Sequence, residues 1–236
     1  MRPEACAAAG EALSVETTVP TPDATIREGE MEGALHAVGE LGYRGASVRA
    51  VLEYSGSHRK QFYDHFDSLE DCFEQAYALW IERLGVGLLQ AAVAVQGWGP
   101  GVQAGLIRLF RFIDDQTAIA RALFVEVHVI GGAALSAHDE ALERLAGALD
   151  SVRGEIDPEQ APPEATGIFV VGGVEACICE VLAEGNQNRI WDALPELMHL
   201  AVGSYLGKEA AEEAFEGAKA LLERGRDRAA LGGEGA

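Results

Sequence analysis

The chain has 236 residues, 48% of them apolar, with 18 Lys and Arg against 38 Asp and Glu and a formal net charge of −20. That length suits one large or two modest domains, and the charge excludes non-specific wrapping of nucleic acid by the whole surface, so any DNA contact must be local. No run of 18 or more apolar residues stands out, and Glu4, Gly10 and Glu11 interrupt the start, so neither a signal peptide nor a membrane partner is expected and the location reads as cytoplasmic. Residues 1–24, rich in Ala, Pro, Thr and Glu, read as a disordered arm. Thr25-Ile26-Arg27-Glu28 fits a capping box for a first helix, in which Met31, Ala34, Leu35, Val38 and Leu41 recur at helical spacing before Gly42 ends it. Ser47 caps a second helix that buries Val48, Val51 and Leu52. A tight turn at Ser55-Gly56-Ser57 leads to a third helix, about 58–63. Asp67-Ser68-Leu69-Glu70-Asp71 then caps a long fourth helix that weakens near Gly97-Trp98-Gly99-Pro100-Gly101.

Beyond that break the pattern stays helical. Helices are expected at about 101–115, 117–131, 137–154, 162–184, 190–206 and 208–224, with breakers between them at Gly131-Gly132, Asp157-Pro158, Pro162-Pro163, Gly185-Asn186 and Gly207. Residues 225–236 read as a flexible tail. Cys177 and Cys179 form a C-x-C pair whose side chains lie roughly 200° apart on a helix, so they read as small buried hydrophobes. No metal site and no cofactor are expected.

Charge is unevenly spread. Residues 42–66 carry Arg44, Arg49, Arg59 and Lys60 against Glu53 and Asp64, while residues 67–236 hold 12 Lys and Arg against 28 Asp and Glu. A cationic helix-turn-helix on an anionic chain points to a polyanionic partner. The second helix of such a unit enters the major groove with its first turn facing base edges. His58, Arg59, Lys60 and Gln61 occupy that turn. Arg59 can donate bidentately to guanine, Gln61 can pair with adenine, and Lys60 can reach guanine or phosphate. Ser47, at a helix N-terminus, can meet a phosphate.

Over residues 25–84 the chain resembles the TetR family of bacterial transcriptional regulators. The resemblance rests on Gly42-Tyr43, Ser47-Val48-Arg49, the Ser55-Gly56 turn, Phe62-Tyr63-Asp64-His65-Phe66 and Asp67-Ser68-Leu69-Glu70. It implies an all-α fold, with a three-helix DNA-binding domain at 25–70 joined by a long helix to a ligand-binding and dimerisation domain at 71–224. It also implies a double-stranded DNA operator, a small-molecule effector and a homodimer. By resemblance Tyr63 and His65 contact the DNA backbone and Arg49 touches base or phosphate, while Phe62 and Phe66 face the core. Ser57-His58 stand where the family usually has Val-Ser, and Leu69 replaces a common phosphate-touching Lys. Fewer phosphate contacts and a shallow salt dependence are therefore expected, and a helical dimer with weak or lost DNA binding stays open as a second reading.

In the second domain Trp80, Phe110, Phe124, His128, Phe169 and Glu175 are candidates to line a ligand pocket. Glu126, His128 and Glu175 interrupt apolar stretches, which suits either a polar anchor in an apolar site or interhelix ion pairs. Ile168, Val171, Val174 and Ile178 form one apolar stripe, and Leu194, Leu197, Ala201 and Tyr205 another; both are expected at a two-fold four-helix interface. An enzyme is not expected, since the sequence holds no nucleophile motif, H-E-x-x-H, phosphate loop or dinucleotide fingerprint.

Overall fold

The computed structural model describes residues 21–232. Among them every regular element is helical. Residues 1–20, most of the expected arm, and residues 233–236 lie outside that range.

Helix α1 spans Pro22–Leu41, four residues longer at its start than the Thr25 capping box suggests. Thr21 is the cap, accepting from the Ala24 amide, and Pro22 at the first position needs no hydrogen-bond acceptor for its nitrogen. Met31, Ala34, Leu35 and Val38 are buried as expected, whereas Leu41 is half exposed because the helix ends at its base. Helices α2 (Val48–Ser55) and α3 (Arg59–His65) complete the N-terminal unit. Ser47 caps α2 through the Ala50 amide, and Gly56 at φ 69° supplies the left-handed residue of the turn. Phe62 and Phe66 fill the space between the three helices.

Ser68 caps α4 (Leu69–Val93), which leaves the N-terminal unit and enters the second one. There follow α5 (Trp98–Asp115), α6 (Thr117–Arg121), a π turn (Ala122–Glu126), α7 (Val127–Ile130) and α8 (Gly132–Asp150). A 3-10 turn (Ser151–Glu155) leads towards α9 (Thr166–Ala183), and another (Gln187–Ala193) into α10 (Leu194–Gly232). The two expected last helices are one element kinked at Gly207 (φ 83°), and helix continues to Gly232, into the stretch read as a tail.

Helix α9 is the one membrane-length apolar helix among the described residues, although Glu175 and Glu180 leave it without an unbroken run of 18 apolar residues. Its 18 residues, at mean hydropathy 1.8, are long and apolar enough to cross a membrane by length and composition. Here it packs on α8, the π turn and α10, with Glu175 in its middle, as one helix of a bundle.

One apolar core runs through both units, from Met31 and Phe62 through Phe73 and Phe110 to Val202. The join is tight at α1 and α6. A Cβ on Gly39 would lie 1.8 Å from the Ala118 carbonyl oxygen, so only glycine permits this approach. Arg121 Nε donates to the Gly39 carbonyl at 3.1 Å and its guanidinium also reaches the Leu182 carbonyl. Glu126 accepts from the Tyr43 amide at 2.8 Å, just past the end of α1. Replacing Gly39 by Ala should destabilise the fold by about 1–3 kcal/mol, the usual cost of overpacking, read as a lowered urea midpoint.

Candidate DNA interface and regulatory cavity

The reading head is built on α2 and α3. Arg59, Lys60 and Tyr63 are exposed along α3, and Arg44 and Arg49 along the approach to and start of α2. The Arg59 guanidinium lies 5.6 Å from the centroid of the Tyr63 ring, whose other contact is the edge of Phe62. Arg49 pairs with Glu53 at 2.9 Å, both well exposed, so salt or a phosphate can release it. Ser47, Val48, Arg49, Leu52, Glu53 and Arg59 line a shallow concavity between α2 and α3.

Three expected contacts sit differently. His58 is the N-cap of α3 rather than its first residue, and its amide donates to the Gln61 side chain at 3.2 Å. Gln61 therefore spends its amide oxygen on capping, where adenine recognition was expected. Ser57 turns back to Ser55, whose hydroxyl accepts from the Ser57 amide. His65 points inward with only 10% of its side chain exposed: Nδ1 lies 2.6 Å from Glu30 and Nε2 3.1 Å from Asp23. With both nitrogens engaged it braces α3 on α1 instead of offering a donor to the DNA backbone. Arg27, the cation nearest the arm, is likewise used internally, over the Phe66 ring and against Gln75.

The hydrogen bond to Glu30 raises the His65 pKa above its ordinary value; burial opposes this and Asp23 reinforces it. A folded-state pKa above the unfolded one means the protonated ring stabilises the fold. That stabilisation is complete below the unfolded pKa and disappears as pH rises through the folded one. His65→Gln should accordingly cost more stability near pH 6 than near pH 9; urea midpoints of both proteins at the two pH values would show the gap narrowing on the alkaline side.

The second unit holds an apolar cavity of about 460 Å³ between α4, α5, α8, α9 and α10. Leu88, Val102, Leu106, Leu145, Leu149 and Val171 are among its walls, and Ser151 is the one side chain with a hydroxyl. None of the six expected pocket residues lines it. Phe110 is fully buried edge-on to Trp191, Phe124 is buried in the π turn, and Phe169 is 77% exposed on the outer face of α9. Trp80 is half buried with its indole N–H unpartnered. His128 and Glu175 meet each other instead. The reason is rotational: aromatic size marks a residue as apolar but not which side of its helix faces the void.

The same offset affects the expected interface stripes. Val171, Ile178, Leu194, Leu197, Ala201 and Tyr205 are buried within the chain, and Val174 partly so; Ile168 alone of the eight is exposed, while Val174 and Leu197 also border the outer groove between α9 and α10. Val171, Val174 and Ala201 are cavity walls. The outward faces of α9 and α10 carry Phe169, Gly173, Leu200 and Ser204, which border a shallow groove.

The interrupting acids are interhelix partners. Glu126 holds the Tyr43 amide, and Glu175 Oε1 lies 2.5 Å from His138 Nε2 and 3.4 Å from His128 Nε2. The His138 hydrogen bond holds the Glu175 carboxyl below the usual carboxylate range despite its burial. Burial pushes the Cys179 thiol up to about 11, and it donates to the Phe124 carbonyl. His138 and Tyr77 were not legible as site residues: neither falls in a motif spacing.

Solved structures of other regulators share this arrangement of helices. Fatty acid degradation regulator FadR from Bacillus halodurans superposes with a TM-score of 0.67 at 13% identity, covering 79% of this chain and 97% of that one. A TetR family transcription regulator from Marinobacter aquaeolei VT8 superposes with a TM-score of 0.55 at 15% identity, covering 83% and 94%.

The chain has the TetR-type fold.

At these identities the likeness is one of fold. No protein-family model and no curated protein sequence matches the chain. Within that fold, α2 and α3 form the helix-turn-helix of the N-terminal unit, and α4 runs from it into the second unit.

Proposed function

We propose that this protein is a DNA-binding transcriptional regulator, a repressor acting as a cytoplasmic homodimer that releases a near-palindromic operator when a small apolar molecule enters its cavity. The observation that carries the reading is the exposed cationic face of α3, with Arg59, Lys60 and Tyr63 outward, on an otherwise acidic chain. Arg59, at the first position of α3, is placed to read guanine, and Lys60, Arg49 and Ser47 to meet phosphates. His58 and Gln61 spend polar groups on capping and His65 on bracing, which supports few backbone contacts and a shallow salt dependence. Substituting Arg59 and Lys60 together by Ala should abolish selective binding to the chain's own upstream DNA while leaving the dimer intact. Fluorescence anisotropy over a salt series measures this, each lost phosphate contact flattening the log–log slope by roughly 0.9. Equal binding to scrambled and upstream DNA by the unsubstituted protein would instead favour a fold that has lost its operator.

The dimer reading rests on the outer face of α9 and α10. Phe169 and Leu200 are 77% and 62% exposed there, beside Gly173 and Ser204. A two-fold partner presenting the same face would cover both.

The cavity's apolar walls suit an effector that is mostly hydrocarbon. The B. halodurans relative in fold is a regulator of fatty acid degradation, so fatty acids of graded length are the first effectors to try. Val102→Trp would fill the cavity. It should leave operator binding intact and remove the release that such effectors cause, which anisotropy with added fatty acid would detect.

A further inference from the structure

Three side chains from three helices converge where the apolar cavity does not reach. His128 on α7, His138 on α8 and Glu175 on α9 bring Nε2, Nε2 and a carboxylate oxygen within 4.8 Å of one another. His138 is fully buried, Glu175 partly buried, and His128 half exposed.

The hydrogen atoms around His138 can be assigned by counting. Tyr77 Oη lies 3.0 Å from the Leu123 carbonyl and 2.7 Å from His138 Nδ1. A carbonyl brings no hydrogen and a tyrosine brings one. Tyr77 therefore donates to Leu123, and Nδ1 supplies the hydrogen for the other contact. The opposite ring nitrogen, Nε2, faces a Glu175 carboxylate oxygen 2.5 Å away, a pairing that either a shared proton or an ion ligated by both can hold together.

We propose that His128, His138 and Glu175 bind one divalent ion of the zinc class per chain. Two imidazoles and a carboxylate are a borderline nitrogen–oxygen set that suits zinc, cobalt or nickel over magnesium or calcium. Tetrahedral ligands about 2.0–2.2 Å from zinc lie roughly 3.3 Å apart. His128 and Glu175 already stand 3.4 Å apart; the His138–Glu175 contact must open by less than one ångström, and the two imidazole nitrogens, within 4.8 Å of each other, must settle at the same spacing. Tyr77 fixes the His138 tautomer and ring from behind, the role that outer partners of metal-bound histidines play. The exposed side of His128 provides entry and room for a fourth ligand. His128 follows directly on the π turn whose Glu126 holds the Tyr43 amide. A bound ion would thus clamp α7 to α8 and α9, and brace the turn that grips the N-terminal unit. This inference does not depend on the DNA-binding reading.

The test uses the full chain after chelator treatment. Zinc is titrated calorimetrically near neutral pH, and cobalt is followed by its visible absorption. One ion per chain is expected, with a tetrahedral cobalt band lacking thiolate character and a melting temperature raised by zinc. His128→Ala, at a half-exposed position that should tolerate change, is expected to weaken binding at least about tenfold, and Glu175→Gln to do the same. Cys179→Ser should bind as the unsubstituted protein does. Absence of zinc heat and cobalt colour would overturn the proposal and leave a proton as the bridge. Undiminished binding in His128→Ala, or binding lost in Cys179→Ser alone, would overturn it equally.

Discussion

The contact between α1 and α6 is the constraint on which the two units depend. Gly39 and Ala118 meet backbone to backbone, and no side chain fits between them. Close approach alone would leave polar groups of both helices facing each other. Arg121 and Glu126 resolve this by spanning the seam, the first to the Gly39 carbonyl and the second to the Tyr43 amide. Both partners lie at the C-terminal end of α1, where helix carbonyls and the following amides lack intrahelical partners. The seam therefore fixes the end of α1, and α1 in turn seats α2 and α3 through Phe62, Phe66 and the His65–Glu30 pair.

The π turn at Ala122–Glu126 sits at the centre of this arrangement. A wider turn disturbs the regular ladder of backbone hydrogen bonds. Side chains from elsewhere complete it: Tyr77 of α4 donates to the Leu123 carbonyl and Cys179 of α9 to that of Phe124. Five residues thereby connect α1, α4 and α9. A change in how α8 and α9 stand around the cavity has a direct mechanical route to α1 through this turn, alongside the covalent route through α4. Under the proposed function, these two routes are how occupancy of the cavity would alter the relation between two reading heads.

The N-terminal unit was legible because its signals are local. Ser47 and Ser68 cap the helices that their side chains begin, Gly56 takes the left-handed turn, and Phe62 and Phe66 lie at the spacing of one buried face. Even there, local reading misplaced groups with two possible uses. Gln61 can read a base or cap a helix, and the free amide at His58 decided for the cap. His65 can face DNA or the core, and the buried Glu30 carboxylate on α1 drew it inward through Oε2.

In the second unit the sequence by itself determined that the chain is helical and roughly where most helices begin and end, because glycines, prolines and caps act within a few residues of where they stand; the π turn inside 117–131 and the joining of the last two helices across Gly207 came only with the tertiary structure. It did not determine which face of each helix looks inward. In α9 and the first half of α10 nearly every side is apolar, so periodicity carries no direction. Val171, Val174 and Ala201 became cavity walls and Phe169 and Leu200 surface only through the packing of five helices. The tertiary structure alone decided the meeting of Tyr77, His128, His138 and Glu175. These residues are up to 98 positions apart in the chain, and nothing in their local spacing marks them as a group. A site assembled from single residues on separate helices exists only when those helices pack, and packing is a property of the whole core.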